Sequence, residues 1–491
     1  MSDQAMNSKQ GSSDHTADEP LWCRRALLCG LLVLVCIRSF VFVRFHQSHF
    51  DADQAVFGLM AKDLAERRAL PIFMYGQHYL LAVSVWASAP LYLVLGTNIA
   101  TLKLPTLMMN LAAVVMLWCG LRREPRMNSV GAAIAILPFA VPGVVTSSRL
   151  VEHAGGNIEP FVFTIAMFLL RERAVVLGVC AGIGFLNREF SADGLIALLV
   201  IDLVTGKLRA RLYPRALTIA VASVTVWIVE MLGAYGAEYH GEGPAIGGPA
   251  WENSVGFFDI QLPALLGGLH RALHDYNITS TLVVGHWQLY ALFGAWVLVV
   301  VFALVRWFPT LAELDGMSFY LVLVGGGQAL AYMLFTPTPL DPMLVRYVLL
   351  VLLAIVGLAA FGWRRPIARY ATVCYVLIAS CWNLGSNLRL IQEYRAKPPQ
   401  RDLDLLTAEL QARGVQYLRA DYWTAYDVTW SSGMRIIASP DRGQTDRIQR
   451  YHSLFDAHRE AVYNLSSQHC RHGTPILHWY LCGPRPKKHA P

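Results

Sequence analysis

Eleven long apolar runs divide this chain, and they restrict its fold more than any other feature. They lie at 26–43, 103–120, 129–146, 158–170, 174–187, 191–204, 216–235, 285–305, 317–335, 346–362 and 370–385. At ~1.5 Å of rise per residue, the longer runs match the hydrocarbon thickness of a bilayer. Backbone polar groups in lipid must be satisfied within the segment, so runs of this kind predict helices. The expected fold class is an all-α polytopic membrane protein with about 11 transmembrane helices. Only 15% of the 491 residues are charged, against about 25% in soluble proteins. The mean hydropathy is +0.40.

The formal net charge of +7 does not point to nucleic acid, because its Lys and Arg are dispersed among short loops. Those loops carry Arg122/Arg123/Arg126, Arg171/Arg173, Lys207/Arg209/Arg211/Arg215, Arg306 and Arg364/Arg365/Arg369. By the positive-inside rule they face the cytoplasm. This holds only if the stretch 80–96, interrupted by Pro90, is an interfacial or re-entrant helix rather than a span. The expected organisation is a disordered cytoplasmic tail over 1–25, a transmembrane domain over 26–385 with an external loop at 44–102, and an extracytoplasmic C-terminal domain over 386–491. The first span is expected to be retained, since a cleaved signal would have a shorter core. The long segments, and most of the acidic and aromatic-polar residues, then fall outside. The expected location is the cytoplasmic (inner) membrane, multi-pass, with the C-terminal domain in the periplasm.

The external loop opens FDADQAVFGLMAKDLAERRALPIFMYGQHYL. Asp51 and Gln54 have the spacing of a capping box. At ~100° per residue, Asp53 shares a helix face with Phe57, Met60 and Leu64, while Lys62 and Glu66 point away. A carboxylate on the inward face costs free energy unless it is paired or used. The alternative for Asp53 is a favourable interaction with the helix N-terminus. For the Tyr75-Gly76-Gln77-His78-Tyr79 knot it is an aromatic interface belt.

Four stretches in order resemble the C-fold (GT-C) membrane glycosyltransferases. They are most similar to the bacterial branch related to protein O-mannosyltransferases, aminoarabinose transferases and rhizobial galacturonosyltransferases. The four are the first loop, with its runs FDADQAVFGLMAKDL and LPIFMYGQHYL taken together, then HAGGNIE at 153–159, Arg346-Tyr347 opening a span, and ADYWTAYDVTWSSGMRIIASP at 420–440. This chain departs from the family pattern at Asn157 and in NREFSADG at 187–194, and its tail beyond about 455 matches no family pattern.

The resemblance implies transfer of a sugar from a polyprenyl-phosphate donor to an acceptor hydroxyl on a glycan, lipid or protein of the envelope, lipopolysaccharide among them. It implies inversion at the anomeric carbon. Such chemistry needs a general base, cations for the phosphate as its charge develops, and aromatic faces for the sugar. Asp53 is the expected base, with Asp51 as alternative and cap. Arg346 is the expected phosphate ligand, because guanidinium grips phosphate bidentately; its alternative is a snorkelling anchor. Lys62 and Arg67 are further cation candidates. Substrate-binding candidates are Tyr75, Gln77, Tyr79, Glu152, His153, Glu159, Tyr347, Tyr422, Trp423 and Tyr426. No cofactor is expected; Glu152, His153 and Glu159 admit a divalent metal, but their spacing fits no metal motif. Membrane lipids are partners and nucleic acid is not. The competing reading is a transporter or flippase of lipid-linked sugars without transferase activity, which would place charged pairs in mid-span.

From Asn387 the composition turns polar and predicts a helix, a strand, a helical turn and further short strands, enough for a small α/β domain. Cys470 and Cys482 enclose a short loop there, and a bridge between them would contribute about 3 kcal/mol.

Overall fold

The computed structural model describes residues 19–45, 50–240, 247–267, 286–337, 340, 342–470 and 473–483. The expected disordered tail over 1–25 lies outside these residues as far as position 18, and its last five residues are not disordered but open the helix Leu21–Arg44. The chain is a helical membrane bundle followed by a small C-terminal domain built on a five-stranded sheet.

The eleven apolar runs are helical over most of their lengths, but they resolve into two classes. Six helices among the described residues are long and apolar enough to cross a bilayer: Leu21–Arg44, Ile99–Leu121, Leu208–Gly233, Trp287–Arg306, Met317–Phe335 and Pro366–Ala396. Glu159–Leu169, Ala174–Asn187, Ala192–Val204 and Val351–Trp363 are shorter, and helices of this length need tilt or flanking residues to span. The last long helix continues past position 385 to Ala396. Val83–Leu95 is a short apolar helix whose Leu93 and Val94 are exposed, as suits an interfacial element.

The run 129–146 is a broken span, not a straight one. Ser129–Ala140 and Val144–Val151 meet at 85°. Pro142 lacks an amide hydrogen and forces the preceding residue out of helical geometry. The break frees carbonyls that hydrocarbon cannot satisfy. Arg38, buried in the first span, donates Nε to the Ala140 carbonyl at 3.2 Å and Nη2 to Asn110 at 2.6 Å. Asn383 donates to the Val141 carbonyl and Asn387 to the Pro142 carbonyl, both at 3.3 Å. These intramembrane polar groups are thus partners of a helix break. Nearby, Gly178 and Gly182 let Ala174–Asn187 approach the backbone of Leu208–Gly233 closely, the small-residue packing common between helices in lipid.

One end of the bundle gathers the basic loops. Arg171 and Lys207 donate to Asp315, Arg211 and Arg215 to Asp202, and Arg365 grips Glu313 through two bonds of 2.8 and 2.9 Å. Arg364 pairs with Glu124. The opposite end carries the first loop, the turn at 152–158 and the C-terminal domain.

In that domain the strands are β1 (Tyr417–Ala420), β2 (Ile437–Pro440), β3 (Val462–Ser466), β4 (Thr474–Ile476) and β5 (Trp479–Cys482), in the order β2-β1-β3-β5-β4. β1 runs parallel to β2 and β3, and β5 antiparallel to β3 and β4. The helix Tyr422–Ser431 makes the β1–β2 crossover that parallel neighbours require. Cys470 and Cys482 are bridged, with Cα atoms 6.1 Å apart. The crossover helix lies on the first-loop helix Ala52–Ala65, where the Trp430 ring comes within 2.9 Å of where a Cβ of Gly58 would stand. Only glycine permits that approach. Arg401 adds bonds to Asp427 and to the Phe50 carbonyl, so the domain is seated on the loop and not tethered beside it.

Candidate active site

Asp51 caps the helix Ala52–Ala65, accepting from the Gln54 amide at 3.0 Å. The second half of the expected capping box differs. The Gln54 side chain turns to the Asp51 carboxylate at 3.4 Å, and its oxygen accepts from the His153 amide. The first loop is thereby joined to the turn at 152–158.

Two residues on, Asp53 occupies the meeting point of three segments. The Tyr422 hydroxyl of the crossover helix donates to its Oδ1 at 2.6 Å, and Arg346 Nη1 stands 3.8 Å from its Oδ2. Arg346 belongs to a 3-10 turn, Pro342–Val348, at the head of Val351–Trp363, and its guanidinium lies 5.2 Å from the Tyr347 ring. Phe57 and Met60, on the Asp53 face, are fully buried.

Around this pair lies a wall of cations that the sequence reading did not single out. Arg447 donates to the Tyr422 hydroxyl at 3.4 Å and to the Gly76 carbonyl at 3.3 Å. With the Gln77 amide oriented to satisfy its neighbours, Arg447 also donates to the Gln77 oxygen at 2.8 and 3.1 Å, and the Tyr79 hydroxyl donates there at 3.2 Å. Arg188 lies 5.7 Å from the Tyr347 ring. Behind Asp53, Arg149 donates to both Glu152 oxygens at 2.8 Å, and Asn157 donates at 3.0 Å. Burial pushes the Glu152 carboxyl up, yet Arg149, Arg346 and Lys103 together hold it below its ordinary value. Lys103 is itself buried.

Sequence-expected residues therefore divide. Asp51, Asp53, Arg346, Tyr347, Tyr422, Gln77, Tyr79 and Glu152 gather at one place. Tyr426 supports it, donating to Asp446 at 2.9 Å and accepting from the Arg447 amide at 2.6 Å. Trp423 is half exposed, edge-on to Tyr422. Glu159 is buried and accepts from the Asn157 amide. His153 packs its ring on Phe57, and burial, with Lys103 adding, drives it down to about 3, so it is a neutral core side chain. Three candidates lie elsewhere. Lys62, nine positions beyond Asp53, donates to the Gly433 carbonyl at 3.0 Å. Arg67 is exposed in the turn after the helix. Tyr75 is buried and donates to Asp63, which also holds Arg450; it ties the loop to the C-terminal domain. Among the described residues no three His, Cys, Asp or Glu side chains form a metal-holding cluster.

Some of the overlooked residues carried a signal. Arg188 lies in NREFSADG, the stretch that departs from the family pattern. Gly156 of HAGGNIE has φ +74°, and a Cβ there would overlap the Arg188 side chain. Arg447 had none, because its relevance arises only when the C-terminal domain seats on the loop.

Asp51 yields a pH prediction. Burial raises its carboxyl to about 7, with Glu152 and Asp53 adding to the rise. Unfolded, it ionises near 3.8. Between these values the folded state holds a proton that the unfolded state has lost, so stability from this group is full below about pH 4 and is lost as pH rises through about 7. Asp51→Asn keeps the cap oxygen without titrating. In detergent melts, wild type is expected to lose stability relative to Asp51→Asn across that window and to run parallel above it. A difference unchanged between pH 4 and 8 would contradict this assignment.

No family model and no curated protein matches the chain. Solved structures do. An oligosaccharyltransferase from Archaeoglobus fulgidus, in the apo form, aligns with TM-score 0.49 and 12% identity over 91% of this chain and 70% of its own. The same organism's AglB, in complex with an inhibitory peptide and a dolichol-phosphate, gives 0.48 and 10% over 91% and 70%. ArnT from Cupriavidus metallidurans bound to undecaprenyl phosphate gives 0.43 and 10% over 91% and 93%.

Proposed function

We propose that the protein is a membrane glycosyltransferase that moves a sugar from a polyprenyl-phosphate donor to a hydroxyl of an envelope acceptor. The observation that carries this reading is the position of Asp53, 3.8 Å from the Arg346 guanidinium, where the four stretches resembling C-fold glycosyltransferases converge. An acid beside a cation at a membrane surface suits this chemistry. Asp53 takes the acceptor proton as the hydroxyl attacks the anomeric carbon, and Arg346 holds the departing phosphate. One base and one displacement invert the anomeric centre. Tyr422 orients the base, and Tyr79 and Tyr347 offer faces for the sugar.

The site faces away from the cytoplasm in this reading, in the periplasm for a protein of the inner membrane. Support comes from the opposite end, where the basic loops gather, as cytoplasmic loops do. A donor carried by lipid follows from that sidedness, since nucleotide-activated sugars are made inside. The test is the envelope glycan profile of a deletion strain against its parent by mass spectrometry. One missing sugar unit, restored by the plasmid-borne protein, is the expected result; identical glycans would overturn the reading.

A further inference from the structure

Arg188 is a buried cation that no step above uses. The residue is 8% exposed, in the corner between Ala174–Asn187 and Ala192–Val204. The hydrogen bond it makes there is a long one, from Nη2 to the Gly155 carbonyl at 3.4 Å, and its Nε has no hydrogen-bond partner among the described residues. The Nε of Arg346 is likewise without a partner. Both guanidiniums lie against the same ring, Tyr347, at 5.7 and 5.2 Å. The Tyr79 hydroxyl is within electrostatic reach of Arg188, Tyr347 and Arg447. A buried guanidinium with unspent donors is costly unless a ligand meets it. The chain also keeps glycine at position 156 with φ +74°, against which the Arg188 side chain lies.

Resting on the proposed reaction, we infer that Arg188 is a second phosphate ligand, whose work is to stabilise the charge that appears as the sugar leaves. The acceptor oxygen forms a bond to the anomeric carbon, its proton goes to Asp53, and the bond from that carbon to the phosphate oxygen breaks with its electron pair. A phosphodiester with one negative charge thus becomes a monoester, which approaches two at neutral pH. Arg346 meets the charge present throughout, and Arg188 meets the charge that develops. An interaction stronger in the transition state than in the ground state raises kcat.

The test measures binding of undecaprenyl phosphate and of its methyl diester to the purified protein in detergent at pH 8. Wild type is expected to prefer the monoester by about tenfold, the scale of one charge-assisted contact. Arg188→Gln is expected to erase that preference with diester binding unchanged, Arg188→Lys to keep part of it, and Arg346→Gln to weaken both lipids. A full preference in Arg188→Gln would overturn the role of Arg188 alone. Should Arg188→Gln fail to fold, the outcome is read from Arg188→Lys, and a preference equal to wild type there, with the shorter ammonium, would overturn the assignment of the developing charge to the Arg188 guanidinium. Binding of neither lipid by wild type would overturn the polyprenyl-phosphate reading itself.

Discussion

Asp53→Asn is expected to lower sugar transfer by about 10²–10⁴-fold, the usual contribution of a positioned general base. The substitution keeps the shape and an oxygen for the Tyr422 hydroxyl at 2.6 Å, so the seating of the crossover helix on the first loop survives. What it removes is the group proposed to accept the acceptor's proton. Binding of the lipid donor is expected to hold and kcat to fall, because the proton moves only during the reaction. The measurement is initial-rate kinetics in proteoliposomes with melting temperature as control. Transfer within a few-fold of wild type would show that another group takes the proton; Asp51, two residues away and near Glu152, would then be next to examine.

Arg346→Ala carries the second large effect, about 10²–10³-fold in kcat/KM, because the guanidinium holds the phosphate in the bound donor and as it leaves. Its loss also strips Asp53 of the cation 3.8 Å away. Arg346→Lys separates the two contributions. It restores a positive charge without the planar fork that matches phosphate oxygens, so a partial recovery of rate with a raised KM for the lipid donor is expected. Full activity in Arg346→Lys would mean that only charge matters there. Full activity in Arg346→Ala would leave the residue as an anchor at a helix end and remove it from the chemistry.

The membrane class, the small polar C-terminal domain, the basic loops on one side and the Asp51 cap were all legible in the linear chain, because each rests on local composition or short spacing. Hydropathy reports on neighbours in sequence, and a helix cap involves residues three apart. The same locality explains the failures. Lys62 and Arg67 share a helix and its following turn with Asp53, yet nine residues of helix carry Lys62 away from it. The run 129–146 reads as one span until Pro142 breaks it, and the break is tolerable only because Arg38, Asn383 and Asn387 arrive from other helices to meet the freed carbonyls. Tyr75 looks like its neighbours in the aromatic knot, but a salt-bridged Asp63 claims it.

What brings Asp53, Arg346, Tyr422, Arg447 and Arg188 together is tertiary packing. These five come from the first loop, a 3-10 turn, two parts of the C-terminal domain and an interhelical corner, separated by up to several hundred residues. Gly58 under Trp430 and Gly156 under Arg188 set how closely the backbones approach, and their contacts exist only in the folded chain. Electrostatics at such a site depends on distances of a few ångströms through a low dielectric. Sequence order carries no information on those distances, so the residues could be nominated one by one but their grouping awaited the fold.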